Sequence, residues 1–455
     1  MEKIKEKIDG YIEDNLDFYI EELKCLCAQP SVSASGEGTN HMAEMVIETF
    51  RKYGFEVHKF DTPGNPIIVA KMNGKDEKNL LFFNHYDVQP PEPMEEWITP
   101  PFQPDIREGA LFARGAHDDK GELLGRVLAV KAVQEAHGGS LPCGVTFVVE
   151  GEEEIGSPNI NQFVQGHIKF LSCQAAVWEE GGIGPSGGLY NYLGVRGILA
   201  VELSIKSMTS DAHSGGAHIL PSAAWKLIWA LNSLKDHNEK VLIKGFYDQV
   251  KPPSQIDLEL LEKSKTSIES VQKQFGFNKL IGGLNEGNFQ EALFHPTCNI
   301  QGITTGYQGE GNKTVIPAKA SAKLDFRLVP DQDPEDIFVK LQNHFIEHRF
   351  EEIQVKKSGM MWPVKISPDN PFVDLTNQTG EEVYGNPSVM IPMVGGSSPV
   401  YAFHQPLGGI PVVRAGVRYW DNHSHAPNEH VRISDFINGA KHIARLLDGF
   451  SQLDL

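Results

Sequence analysis

At 455 residues the chain is too long for one compact core, so about two or three folded units are expected. Acidic side chains outnumber basic ones by 60 to 41, a net charge of −19. Phosphate backbones and anionic lipid demand clustered Lys and Arg, so nucleic acid and membrane surfaces are excluded as partners. No apolar run approaches a membrane span, and the charged, amphipathic stretch up to Phe18 has no signal-peptide core. The five cysteines are scattered without metal-knuckle spacing, which points to reduced thiols and a cytoplasmic location.

In chain order, helical patterns cover Lys3 to Ala28 and Thr39 to Tyr53, followed by short strands at Phe55 to Phe60, Pro66 to Met72 and Leu80 to Phe83. Pro90 to Pro104 is too rich in proline for anything but loop, and Ile106 to Phe112 reads as a hairpin turning at Gly109. A long helix is expected from Lys120 to Ala136, then a buried strand from Gly144 to Glu150. Strands alternating with helices predict an α/β layer with a mixed, mostly parallel sheet, whose chemistry belongs at strand carboxyl ends.

The pattern changes after the glycine-rich loop 181–188. An alternating strand (Leu199, Val201, Leu203, Ile205) precedes a helix from Pro221 to Leu234. Strands at Cys298 to Thr304 and Ala318 to Leu328, a helix from Pro334 to His344 and a strand at Glu352 to Val355 complete the set. This order suggests a ferredoxin-like α+β insert. The α/β pattern resumes with a helix from Pro371 to Tyr384, strands at Val389 to Ile391 and Pro411 to Val413, and a closing helix from Ile433 to Leu447. The expected division is therefore 1–197 and 364–455 for one domain, with 198–363 inserted.

Several motifs carry chemistry. Glu152-Glu153-Glu154 follows the apolar run Val145 to Val149, and crowded carboxylates there are costly unless cations neutralise them. His85-x-Asp87 pairs an imidazole with a carboxylate that can orient it, although alone it could be a surface histidine. Asp118-Asp119-Lys120-Gly121 could simply open a helix, where the dipole favours Asp, or let one carboxylate bridge two ions. Glu179-Glu180 follows another apolar run, and His423-Ser424-His425 offers two imidazoles to an oxygen-rich shell. A glutamate beside, but not on, the metal ions is the usual general base of metal-assisted hydrolysis.

In this order, these motifs resemble the di-zinc aminoacylase, carboxypeptidase and dipeptidase superfamily along essentially the whole chain. The dipeptidase branch is most similar, through His85-Tyr86-Asp87-Val88-Gln89-Pro90, Arg114 to Gly121, Lys313-Thr314-Val315-Ile316-Pro317, Phe326 to Pro330 and Gly395-Gly396-Ser397. The resemblance implies two divalent ions per subunit, zinc first with manganese or cobalt as alternatives, activating a bridging water. Their ligands would be His85, Asp118, Glu154, Glu179 and His425, with Asp118 bridging through a cis Asp118-Asp119 peptide. Glu153 would be the general base and Asp87 the partner orienting His85.

Three registers stay open. Glu152-Glu153 competes with Glu153-Glu154, which the family's Glu-Glu-x-Gly-Ser spacing favours; Glu180 competes with Glu179, and His423 with His425. His117 stands where relatives carry a smaller residue. In the insert, which the resemblance makes a lid and dimerisation domain, His213 would reach a partner subunit's active site in a homodimer and stabilise the oxyanion. Arg327 and Thr314 would hold the substrate's carboxylate, beside Gly396 and Ser397. The implied activity is hydrolysis of dipeptides or similar small substrates with a free C-terminal carboxylate; the alternative is an N-acyl amino acid deacylase. A silent metal- or peptide-binding relative would be expected to lack Glu153 or a ligand.

Overall fold

The apolar runs become central strands because both faces of their sheet are covered, so no polar alternation is needed. The computed structural model describes residues 2–264 and 267–454; the expected domain ends Met1 and Leu455 lie outside them. The chain divides into two units, Met1–Leu193 with Ile366–Ile391 and Pro399–Leu455, and Gly194–Lys365 with Pro392–Ser398.

The first unit opens with α1 (Glu2–Asp14), α2 (Leu16–Ala28) and α3 (Thr39–Lys52). The expected single helix from Lys3 to Ala28 is thus two. Asn15 interrupts it, its side chain donating to the Tyr11 carbonyl at 2.8 Å and offering the backbone a local alternative to helix. A six-stranded sheet follows, from β1 (Glu56–Phe60), β2 (Ile67–Met72), β3 (Asn79–His85), β4 (Gly144–Glu150) and β5 (Ala175–Trp178), in the order β1-β2-β4-β3-β5 and then Val412–Arg414. β1, β2 and β4 pair antiparallel, whereas β4 with β3, β3 with β5 and β5 with Val412–Arg414 are parallel. The sheet is mixed and mostly parallel, as the alternation of elements led one to expect.

Between β3 and β4 lies α4 (Lys120–Ala136), buried along nearly all its sides. Its buried positions include the charged Lys120, Glu122 and Arg126, each held by hydrogen bonds, as buried charges must be. The helix packs on α1, α2, the closing helix Ile433–Phe450 and β3. The expected strand Leu80 to Phe83 extends to His85, so this imidazole is the strand's last residue.

In the second unit, β6 (Gly197–Lys206) buries alternate residues, Leu199, Val201, Leu203 and Ile205, against α5 (Ala223–Leu234) and the helix Pro334–Glu347. With β7 (Thr297–Thr305), β8 (Lys319–Leu328) and β9 (Gln354–Met361) it forms an antiparallel sheet in the order β7-β8-β6-β9. That is the ferredoxin-like arrangement. β9 begins two residues later and runs further than the expected strand Glu352 to Val355. Two helices, Gln255–Lys263 and Ile268–Phe275, were not anticipated between α5 and β7. Ser254 and Asp257 form a capping box at the first, a signal open to inspection in the sequence. Among the described residues, no helix is long and apolar enough to cross a membrane.

Candidate metal centre

Parallel pairing puts the carboxyl ends of β4, β3 and β5 at one edge, where open α/β sheets bind ligands. His85 ends β3, the turn Glu153–Ile155 follows β4, and Glu179 follows β5. Buried Arg126 of α4 fastens this edge: it donates to the carbonyls of Phe83, Trp178 and Ala415 and to Asn84 Oδ1. An arginine inside a helix gave no sequence hint of this. Its five donors simply suit converging carbonyls.

Asp118 is the hub. His85 Nε2 lies 2.9 Å from its Oδ1, and His425 Nε2 lies 3.0 Å from its Oδ2 and 3.1 Å from Glu154 Oε2. Two groups able to hold a cation result, His85 with Asp118 and Asp119, and Asp118 with Glu154 and His425, sharing Asp118. The Asp118–Asp119 peptide is cis. Asp119 Oδ2 accepts from Asn84 Nδ2 at 2.6 Å and the His85 N–H at 3.0 Å, while its buried Oδ1 has no hydrogen-bond partner.

The open registers have distinct surroundings. Glu152 is engaged elsewhere, accepting from Asn159 Nδ2 at 2.6 Å. Glu180 faces two arginines, Arg418 at 2.8 Å and Arg414 at 3.7 Å. Glu179 lies outside both tight groups, yet it is buried with Oε2 lacking any hydrogen-bond partner, and the charges it senses include Glu153, His85 and Asp119. His423 turns to the Pro427 carbonyl at 3.2 Å and to Asp421 at 3.8 Å.

Asp87 does more than orient one ring. Its carboxylate accepts the N–H groups of Glu153 at 3.2 Å and Glu154 at 3.1 Å, so it fixes the start of the glutamate turn. His85 Nδ1 meets the Asp87 carbonyl at 3.0 Å, with the carboxylate at 3.4 Å. Gln89 donates to Glu154 Oε2 at 2.8 Å. Glu429, fully buried, accepts four donors: Arg114 Nη1 at 2.7 Å and the N–H groups of Gly115, His117 and Asp118 at 3.1, 3.2 and 3.0 Å. Gln89 and Glu429 carried no role in the sequence reading; their partners are 65 residues or more away.

The electrostatics follow from crowding. Burial, then Glu154, Asp118 and Asp87 against the opposing His85, pushes the Glu153 carboxyl up to about 8. Burial likewise raises Glu179 and Glu154, and pushes Asp119 up to about 7. Asp118 goes the other way. Burial alone would raise it, but hydrogen bonds from His425 and His85 hold it well below the carboxylate range. The bond from His425 to Asp118, with that to Glu154, pushes His425 up to about 11. A set of buried carboxylates with an orphaned Glu179 oxygen, gathered with two imidazoles at one edge, fits divalent cations by donor chemistry.

In the second unit the residues expected to grip a carboxylate form two groups. Arg327 Nη1 donates to Ser397 Oγ at 2.7 Å, and the Arg196 N–H donates to the Gly396 carbonyl at 2.9 Å. Thr314 Oγ1 instead lies 3.2 Å from Nε2 of His213, beside the small ladder that joins Ala212–His213 to Val315–Ile316. Arg327 is near the end of β8 and Thr314 precedes its start at Lys319. Eight residues of extended strand separate those ends by about 26 Å. A single pocket holding Arg327, Thr314, Gly396 and Ser397 is therefore not formed within one copy of this unit.

The model of peptidase family M20/M25/M40 matches residues 81–449. Among solved structures, the chain is similar to an M20 family metallo-carboxypeptidase from Sulfolobus solfataricus, at 35% identity and a TM-score of 0.89, covering 96% of this chain and 99% of that one. It is 27% identical to a Cys-Gly metallodipeptidase of Schizosaccharomyces pombe, over 96% of each chain. It is also 25% identical to the Beta-Ala-His dipeptidase of Rattus norvegicus, over 98% of this chain and 96% of that protein.

Proposed function

The chain belongs to peptidase family M20/M25/M40, and from that premise we propose that it is a metal-dependent dipeptidase acting on small substrates with a free C-terminal carboxylate. The observation that carries this is the sharing of Asp118 between two cation-competent groups. In this reading His85, Asp118, Glu154, Glu179 and His425 would hold two divalent ions, zinc first, and Asp118 belongs to both cation-competent groups. Bound there, such ions supply Lewis acidity toward the scissile carbonyl and make water a nucleophile near neutral pH.

The protein's own groups do the rest. Glu153, fixed by its N–H on Asp87, takes the proton of the attacking water and returns it to the departing amine. Asp87 holds His85 in place through the ring's other nitrogen. The fork of Arg327, steadied by Ser397, suits the substrate carboxylate, and His213 with Thr314 offers donors to the oxyanion and the substrate. Because these pairs lie at opposite ends of β8, one substrate can touch both only if they come from different copies, which supports a homodimer with shared sites. The exposed apolar side chains Trp225, Ile228 and Trp229 of α5, with Ile219 and Leu220 before it, fit an interface in the same unit. The free cysteines, four of them buried, suit a reducing cytoplasm.

Two relatives are named for dipeptide substrates, Cys-Gly and β-Ala-His, which favours this reading over N-acyl amino acid deacylation. The test is hydrolysis of Ala-Ala and Cys-Gly beside N-acetylornithine, with zinc or manganese added to the chelator-stripped enzyme. Dipeptide turnover should dominate, and Glu153→Gln should reduce it by about 10²–10⁴-fold. Faster release from N-acetylornithine would overturn the substrate class, and equal, negligible rates in wild type and Glu153→Gln would overturn catalysis itself.

A further inference from the structure

The turn carrying Asp118 and the loop carrying His425 are joined by a ring that the reaction does not use. His117 is fully buried, with Nδ1 3.0 Å from Ser424 Oγ and Nε2 3.6 Å from Glu122 Oε1. Glu122 is buried as well, accepting the N–H groups of Gly181 at 3.2 Å and Val417 at 3.1 Å. It fits only because residue 416 is glycine, where a Cβ would stand 1.7 Å from Glu122 Oε2. On the other side, Ser424 Oγ donates to Asn422 Oδ1 at 3.2 Å. His117, Ser424 and Asn422 thus run as one hydrogen-bonded chain into the loop, with the Glu122 carboxylate beside the ring's other nitrogen, which has no hydrogen-bond partner.

That loop needs fixing. His425 has a φ of 61°, as do His423 and Asn428 at 58° and 62°, left-handed conformations that non-glycine residues hold only where their surroundings enforce them. The C-terminal side of His425 is pinned by Asn428, which bonds the Glu96 carbonyl and the Ile98 N–H at 2.9 Å each, and by Glu429. Ser424, on the N-terminal side, is pinned by His117.

We infer that His117 is a positioning residue: through Ser424 it sets the His425 loop at the distance from Asp118 and Glu154 at which these groups can share one cation. The inference rests on the reading of His425 as a ligand. Glu122 stands 3.6 Å from Nε2, beyond hydrogen-bond reach, so the ring's one hydrogen bond is that of Nδ1 with Ser424. A residue that merely filled the space would be replaceable by any side chain of similar size. A positioning residue is replaceable only by one that keeps a polar atom near the position of Nδ1, as Asn does.

The experiment is calorimetric titration of Zn²⁺ into the chelator-stripped full chain, comparing wild type with His425→Ala, His117→Leu, His117→Asn and Ser424→Ala. Wild type should bind two ions. His425→Ala should lose one equivalent, and His117→Leu and Ser424→Ala should each weaken that equivalent by about 10–100-fold and leave the other, the size usual for lost outer-shell partners. His117→Asn should restore it. Ser424→Ala changes only a half-buried loop hydroxyl, so it reads the bridge even if His117→Leu folds poorly. Absence of zinc binding in wild type would overturn the site itself. Two ions in wild type and one in His425→Ala, with His117→Leu and Ser424→Ala unchanged, would overturn only the bridge. So would loss of both equivalents in His117→Leu with none in Ser424→Ala.

Discussion

Glu429→Gln is the sharpest test of how the metal turn is held. The substitution keeps size and shape but turns one acceptor oxygen into an NH₂ donor. Whichever way the amide lies, two of the four present donors lose their acceptor: the N–H groups of His117 and Asp118, or Arg114 Nη1 and the Gly115 N–H. Arg114 and Glu429 are both essentially inaccessible, so water cannot step in. Each buried donor without a partner costs about 1–3 kcal/mol, and stripping the charge from a buried pair costs about 3–5 kcal/mol. The combined loss, taken as overlapping rather than additive, is about 3–5 kcal/mol, a large share of the ~5–15 kcal/mol by which domains are stable. Urea unfolding of the chelator-stripped chain, followed by circular dichroism, measures it against wild type. A loss under about 1 kcal/mol would refute the reasoning, since it would mean that these amides find other acceptors.

The remaining predictions concern other places in the fold. His442 donates from Nε2 to the Thr376 carbonyl at 3.0 Å while Nδ1 has no partner; burial, helped by Arg445 and with Tyr384 as the facing ring, pushes it down to about 4. The unfolded chain therefore protonates first, so stability from this ring is intact above about pH 6.5 and is lost as pH falls to about 4, by about 2–4 kcal/mol. His344 in the second unit is lowered alike, so the quantity to measure is the difference in acid sensitivity between wild type and His442→Gln, which should disappear only if His442 is not the titrating group. Glu179→Gln should cost one metal equivalent by elemental analysis while Glu180→Gln, which only releases Arg414 and Arg418, keeps both; the reverse result would exchange their roles. Co-expressed Glu153→Gln and His213→Ala chains should regain dipeptidase activity in mixed dimers, and none should appear if each copy completes its own site.

What the sequence disclosed follows a physical rule. The strands and the residues at their tips were legible because buried parallel strands leave continuous apolar runs, and carboxylates placed straight after Val149 or Trp178 are conspicuous. Partners brought together only by folding left no such trace. Arg126 reads as an ordinary helix residue until four carbonyl and amide oxygens converge on it, and Glu429 shows nothing of the turn it holds, more than 300 residues upstream. The break at Asn15 is a matter of one side-chain hydrogen bond competing with a helix that periodicity alone would continue. The separation of Thr314 from Arg327 was hidden differently. Motif matching places residues in one pocket by role, whereas ten residues of extended β8 place them at opposite ends of a sheet.

That separation also bears on why the first unit collects so much negative charge. Glu153, Glu154, Glu179 and Asp119 are all raised by burial, and the histidines among them relieve only part of the repulsion. A fold gains nothing in stability from such an arrangement, since apolar residues in those positions would be no worse. Perturbed acids concentrated at strand ends are the mark of a site whose charge is balanced by what it binds. The first unit gathers the perturbed acids, and the second carries Arg327 with Ser397 and His213 with Thr314 as two separate groups. If those two groups serve one substrate, as proposed above, two copies of β8 must supply them, and the mixed-chain experiment decides it.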